Sequence, residues 1–293
     1  MRFHVLTLFP EMIENVFKES VTGRALEKGI VSLETINIRD FANNKYKHVD
    51  DYIYGGGSGM LMQAEPVFLA FKKALENAEI TYDEYVEMIK NNNDEIGEEP
   101  SGNDVEQESE TTAELIIEED EPAAETDTRR KPRVLYMSPQ GRTFSQSMAE
   151  ELSAEEDVII LCGHYEGIDE RAIELIKPEE VSIGDFVLTG GELAASIIMD
   201  SVTRLLPGAL GSDDSAVYES FYDGLLEYPQ YTRPEEYMGL TVPPVLLSGH
   251  HKNIENWRHE QALERTKEKR PDLYEKYMEL HPPKPDKKRK KKV

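Results

Sequence analysis

Residues 181–208, VSIGDFVLTGGELAASIIMDSVTRLLPG, run from an apolar, strand-like stretch through the pair Gly190–Gly191 into a helix ended by Pro207–Gly208. A glycine turn between a strand and a helix is a common cradle for phosphate. No lysine or arginine follows this one closely, and the next basic residue, Arg204, lies well along the helix. The turn therefore asks for a ligand other than phosphate. The helix ELAASIIMDSVTRLL is apolar around most of its circumference, which predicts burial on nearly all sides, in a core or in a subunit interface.

Outward from this stretch the pattern repeats. RVLYM (133–137) and DVIILC (157–162) are short apolar runs bounded by turn signals, as buried parallel strands are. RFHVLTLF (2–9) and VSLETINI (31–38) also read as strands. VTGRALEKG (21–29) reads as a short helix with Thr22 as N-cap and Gly29 as its stop. SQSMAEEL (145–152) carries a capping-box pattern, Ser147 with Glu150 three residues on. Strands alternating with helices predict an α/β fold with a parallel sheet.

The chain has 293 residues and a formal net charge of −25. The charge is local: residues 76–128 hold 20 of the 58 acidic side chains and only one of the 33 basic ones, Lys90. Acidic sequence almost free of aromatics cannot bury enough apolar surface to offset its ordering entropy. Residues 79–130 are therefore expected to be a disordered insertion within the first domain, which spans 1–210. A polar, turn-rich stretch at 211–227 reads as a linker, 228–283 as a small helical domain around the single Trp257, and 284–293 as a basic tail. No apolar run approaches the ~18 residues of a membrane span, and the N-terminus does not have the pattern of a signal peptide. Cys162 is the only cysteine, which excludes an internal disulfide and fits a reducing compartment, so a cytoplasmic location is expected.

Several chemistries are excluded on spacing. YGGGSGM (54–60) has no following Lys-Ser/Thr and follows no strand, so it is neither a P-loop nor a dinucleotide fingerprint. His250, His251 and His259 lack paired-ligand spacing, and no metal site is predicted. Three other loops share a design: SPQGR (138–142), CGHYEG (162–167) and LTGGE (188–192) each place glycine or proline just past a strand. Open α/β sheets bind ligands there, and glycines admit close backbone approach. Backbone groups with apolar neighbours suit an uncharged adenosine. Any one of the three, taken singly, reads better as an ordinary βα turn.

Taken together, SPQGR, CGHYEGIDER, VSIGDFVLTGGE and RLLPGALG, followed by LLEYPQYTRP and VPPVLLSGHH, resemble the bacterial tRNA (guanine-37-N1)-methyltransferase family, TrmD. HVDDYIYGGGSGM and LTLFPEM extend the match to nearly everything outside 76–130 and the tail. The resemblance implies a SPOUT-type parallel sheet with a trefoil knot in its C-terminal half, a small all-α C-terminal domain, and a homodimer that acts on tRNA with guanine at position 37. It implies S-adenosylmethionine as methyl donor, held by Pro139, Gly163, Ile183, Gly184, Asp185, Phe186, Val187, Leu188, Gly190 and Gly191; the ligand of the glycine turn would then carry no phosphate. Mg2+ is an additional ion to consider, with no residue assigned to it.

By the same resemblance Arg204 matches the arginine that stabilises charge on guanine O6. Glu219, in VYESFYDG, stands where the family has an aspartate as general base, with Asp223 as the reserve. Asp50, Gly55, Gly59, Tyr165 and Glu166 match positions near the target guanine. The helical domain, with Lys252, Arg258, Arg265, Lys267, Lys269 and Arg270, would grip anticodon-stem phosphates. Two alternatives stay open at this point: a SPOUT methyltransferase acting on another RNA position, and a non-catalytic RNA-binding module.

Overall fold

The computed structural model describes residues 1–95, 130–211 and 219–282, and the chain divides into two units, Met1–Ala209 and Leu210–Val293. In the first unit β1 (Arg2–Thr7) and β2 (Ser32–Asn37) flank a crossover through α1 (Pro10–Phe17) and α2 (Ser20–Glu27). An antiparallel hairpin of β3 (Asp50–Tyr52) and β4 (Met60–Met62) follows, then α3 (Ala64–Asn77) and α4 (Tyr82–Glu95). Next come β5 (Arg133–Thr143), α5 (Gln146–Ser153), β6 (Asp157–Cys162), α6 (Glu170–Ile176), β7 (Glu179–Ser182) and α7 (Glu192–Thr203). The five long-range strands form one sheet in the order β2-β1-β6-β5-β7, and every pair is parallel. This is the expected α/β class.

The sheet carries a helical layer on each face. Val158, Ile160 and Cys162 of β6 pack with Ile13, Met148, Ile198 and Met199 of α1, α5 and α7, while Ile159 and Leu161 pack with Phe71, Tyr85 and Ala172 of α3, α4 and α6. A central strand covered on both faces has no solvent side, so DVIILC shows no polar alternation. Burying these side chains is worth roughly 1.5–3 kcal/mol apiece against leaving them exposed.

Several local expectations change in the structure. The strand before the glycine turn stops at Ser182, whose hydroxyl bonds Gly184 on both its N–H and its carbonyl at 3.1 Å, so Ile183–Thr189 is a loop. Thr22 is not an N-cap but the third residue of α2, its hydroxyl donating back to the Glu19 carbonyl at 2.9 Å. Gly29, with φ +68, does follow the end of that helix. The cap of α5 is Ser145, which accepts from the Met148 N–H at 3.4 Å, so the helix starts two residues before the Ser147 pattern placed it. α7, which packs against α1, is buried on most sides but leaves Leu193 and Ile197 exposed, one turn apart.

The first part of the stretch expected to be a disordered insertion is folded. From residue 79 the chain continues into α4, where Ile80, Tyr85 and Ile89 are buried and the Tyr85 hydroxyl donates to the Ile176 carbonyl at 2.8 Å. Three apolar side chains facing a waiting groove outweigh the acidity of the exposed helix face. The rest of the expected insertion, 96–129, lies outside the described residues, as do 212–218 of the linker and the basic tail.

The second unit contains α8 (Pro244–Leu247), α9 (His251–Lys269) and α10 (Pro271–Leu280), preceded by a hairpin of β8 (Glu236–Tyr237) and β9 (Leu240–Thr241). An all-α reading therefore misses a hairpin. Its signal was Met238–Gly239: both residues have positive φ (54 and 83), which a two-residue turn between right-twisted strands requires.

Candidate functional site

The three glycine-bearing segments meet around a cavity of about 450 Å³; CGHYEG follows β6 directly and LTGGE follows the loop beyond β7, whereas SPQGR, expected just past a strand, lies within β5, which runs on to Thr143. Its walls are Met137–Gln140, Gly163–Ile168, Glu180–Gly184 and Phe186–Gly191, with Tyr136, Glu170, Ile173 and Ala194 behind. Of the residues expected to hold a cofactor, Pro139, Gly163, Ile183, Gly184, Phe186, Val187, Leu188, Gly190 and Gly191 all line it; Asp185 sits on the same loop but is not part of the wall. Phe186, Val187 and Leu188 are exposed apolar side chains at its rim.

Among the described residues, the walls contain no lysine or arginine. Their ionisable side chains are His164, Glu166, Glu170 and Glu180, with the phenols of Tyr165 and Tyr136; burial and then the charges of Glu180 and Glu170 push the Tyr136 phenol up to about 12. An anion would meet net negative charge here, whereas a cation would be attracted.

The glycines turn out to be demanded by the protein as well as by any ligand. A Cβ on Gly190 would lie 2.2 Å from His164 Cε1, and one on Gly191 would lie 2.8 Å from Cys162 Cα. The Gly191 N–H donates to the Gly163 carbonyl at 3.1 Å, and His164 and Gly190 form an antiparallel bridge. The second and third loops are thus knitted backbone to backbone. Gly141 is crowded in the same way, its Cβ position falling 2.2 Å from the Glu180 carbonyl carbon where β5 passes β7.

Beneath the cavity lies a hydrogen-bonded chain that the sequence did not reveal. The Thr7 hydroxyl donates to Glu192 Oε1 at 2.6 Å, and His164 Nε2 lies 2.8 Å from both carboxylate oxygens of Glu192. Glu192 is only 1% exposed. Burial pushes its carboxyl pKa up, but the bonds from His164 and Thr7 pull it down further, leaving it below the ordinary value. Cys162, also buried, has its thiol pushed well up by burial and by the Glu192 charge, which makes it inert. The only available sign of this chain was an acidic residue opening an apolar helix, and the last two members lie 28 residues apart.

The residues expected near the target guanine divide. Tyr165, with φ +58, and Glu166 line the cavity. Gly59 packs against Glu166, with its Cβ position 2.4 Å from Glu166 Oε1, and the Glu166 N–H donates to the Met60 carbonyl at 3.0 Å. The hairpin bearing Asp50 on β3 and Gly55 at its loop is therefore anchored to the cavity's rim, although Asp50 and Gly55 are not in its wall. Arg204 ends α7, half-buried, its N–H donating to the Asp200 carbonyl at 3.2 Å, and it too is outside the wall.

Glu219 and Asp223 belong to the second unit. Asp223 is occupied locally, accepting the Leu225 N–H at 3.1 Å in an Asx turn. Several basic residues there also have partners within the unit: Arg265 donates to the Glu227 carbonyl at 3.2 Å, Arg270 pairs with Asp272, and Arg258 stacks 4.8 Å over the Tyr228 ring. Lys252 on α9 is exposed. Among the described residues no group of three or more His, Cys, Asp or Glu is arranged to hold a metal ion, and no helix is long and apolar enough to cross a membrane.

The chain matches the family model described as tRNA (Guanine-1)-methyltransferase TrmD over residues 1–114 and 112–276. It is 49% identical over 281 residues to the tRNA (guanine-N(1)-)-methyltransferase of Lachnospira eligens, covering 96% of this chain and 98% of that relative. Proteins of the same name from Ruminiclostridium cellulolyticum and Clostridioides difficile are 47% and 46% identical over 276 residues, 94% of this chain and 97% and 98% of theirs. With the motifs assembled around one cavity and the match running almost end to end, the chain belongs to the TrmD family of tRNA (guanine-1)-methyltransferases.

Proposed function

We propose that this protein transfers the methyl group of S-adenosylmethionine to N1 of guanine 37 in tRNA, with the methyl donor seated in the cavity that the three glycine-bearing segments line. One observation carries the reading: a cavity of about 450 Å³ built from glycine-rich backbone, with acidic side chains and, among the described residues, no lysine or arginine in its walls. That lining fits an adenosine joined to a sulfonium and an ammonium group, and it repels phosphate. It also answers what the phosphate-free glycine turn is for.

Pro139, Gly163, the Ile183–Leu188 loop and Gly190–Gly191 would hold the donor, which supplies a methyl group already activated by its positive sulfur. The protein is left with alignment and with removal of the N1 proton. Glu219, standing where the family has its aspartate, takes that proton, with Asp223 as the reserve. Arg204 stabilises the negative charge that develops on guanine O6 as the proton leaves. Asp50, Gly55, Gly59, Tyr165 and Glu166 shape the guanine side, and the basic residues of the second unit position the anticodon stem through its phosphates.

Three further features belong to this reading. The chain is threaded as a SPOUT trefoil knot, which accords with β5 re-pairing with β7 after a four-residue excursion (Arg142 opposite Val181) and with the crowding at Gly141. The protein is a homodimer, for which exposed Phe9, Met12 and Val16 at α1, and exposed Leu193 and Ile197 on α7, a helix packed against α1, offer apolar surface. It works in the cytoplasm, where its tRNA substrate is found. Methyl incorporation into tRNA transcripts carrying guanine or adenine at position 37 tests the function: transfer to guanine alone supports it, and equal transfer to both, or none, refutes it.

A further inference from the structure

We infer that Glu192 and His164 are positioning residues for the methyl donor: Glu192, anchored by Thr7, grips His164 and so holds the Gly163–Gly167 and Leu188–Gly191 loops at their ligand-ready separation. This rests on the reading of the cavity as the donor site.

The geometry is specific. Carboxylate oxygens only accept, so His164 Nε2 must carry its proton toward Glu192, where it is shared between two oxygens at 2.8 Å each. Glu192 Oε1 also takes the Thr7 hydroxyl at 2.6 Å, and Thr7 Oγ1 in turn accepts the Phe9 N–H at 2.9 Å. Thr7 is the last residue of β1, so the chain is tied to the centre of the sheet. Glu192 opens α7, where the free N–H groups of the first turn favour a carboxylate. The imidazole is wedged between Phe9, at 4.9 Å between ring centroids, and the backbone of Gly190. His164 is in the cavity wall; Glu192 is behind it. Neither needs to touch the reacting atoms. Together they set the distance between two loops that supply the donor's backbone contacts, so less ordering is left to be done when the donor binds.

The test is calorimetric titration with S-adenosylhomocysteine, alongside tRNA binding and thermal melting, for wild type, His164→Leu, His164→Gln and Glu192→Gln. His164→Leu removes the donor to a buried carboxylate and should weaken S-adenosylhomocysteine binding by ~10-fold or more. His164→Gln can still present an N–H to Glu192 and should recover most of that loss, which a merely structural role for the ring would not allow. Glu192→Gln, which keeps the shape but removes the charge, should fall between them. Binding of tRNA should stay within a few-fold of wild type for all three. Wild-type affinity in both His164→Leu and Glu192→Gln, or equal loss in His164→Leu and His164→Gln with intact melting, overturns the inference alone. No binding by the wild-type chain overturns the reading of the cavity and the inference with it.

Discussion

Adding one methyl group at Gly190 tests how tightly the donor cavity is assembled. In Gly190→Ala the new Cβ would lie 2.2 Å from His164 Cε1, 2.3 Å from His164 Nε2 and 2.6 Å from Glu192 Oε2. Ordinary carbon contacts sit at about 3.5–4.0 Å, so the imidazole must retreat by more than a bond's breadth of slack. It cannot retreat and keep its 2.8 Å bonds to a carboxylate that is 1% exposed. Losing one hydrogen bond to a buried charged group costs about 1.5–3 kcal/mol. If that cost falls on the ligand-ready arrangement, affinity for S-adenosylhomocysteine drops ~10- to 100-fold. Gly163→Ala is the control, because its Cβ would meet the end of the Tyr136 side chain at 3.0 Å, which can swing aside. Its loss should be no more than ~3-fold, well under 1 kcal/mol. Combining Gly190→Ala with His164→Ala removes the two closest clashes, so the double variant should lose less than the sum of the singles. Calorimetric titration, with thermal melting to verify folding, measures all four. Wild-type affinity in Gly190→Ala, or a Gly163→Ala loss exceeding it, would refute the reasoning.

Other expectations concern chemistry, charge and the acidic segment. Glu219→Gln should lower single-turnover methyl transfer by roughly 10²-fold or more while tRNA and donor binding stay near normal; Asp223→Asn should be mild, and the reverse ranking would make Asp223 the base. Burial raises the Asp157 carboxyl pKa, but bonds from His4 and Arg2 hold it below its ordinary value overall. Its contribution is therefore present above the ordinary aspartate range and is lost as pH falls through the lowered value, so Asp157→Asn should cost about 1–3 kcal/mol near neutrality and progressively less below about pH 4. Denaturant unfolding across pH 2–7 reads this, and a cost independent of pH counts against it. Replacing residues 96–129 with a short Gly/Ser linker should leave the melting temperature within a few degrees, whereas starting the cut at 79 discards buried Tyr85 and Ile89 and should cost on the order of 3–5 kcal/mol or more. Equal melting temperatures for the two cuts would show that α4 contributes nothing.

Much of this protein was determined locally and could be read from the chain. Runs such as RVLYM and DVIILC show no polar alternation after their charged first residues because a strand covered on both faces has no wet side, and β5 and β6 lie there. All three glycine-bearing segments line one cavity, but only CGHYEG sits just past a strand as expected: SPQGR lies within β5, and LTGGE follows the loop beyond β7. The absence of a basic residue after Gly190–Gly191 was a statement about ligand charge that needed no coordinates. Caps were less legible: Ser145 and Ser147 are chemically equivalent as caps, and only the tertiary environment selects which one starts α5. The acidic segment misled because composition averages over a helix; in α4 the apolar residues that matter are few, and they count only because α3 and α6 leave a groove for Tyr85 and Ile89. The Thr7–Glu192–His164 chain was beyond sequence reading altogether. Thr7 and Glu192 lie 185 residues apart, and either could serve as an ordinary surface side chain. A hydrogen bond across that interval forms only after the sheet has set its neighbours, because the free energy that selects the pairing, removal of both groups from water, does not exist until the fold does.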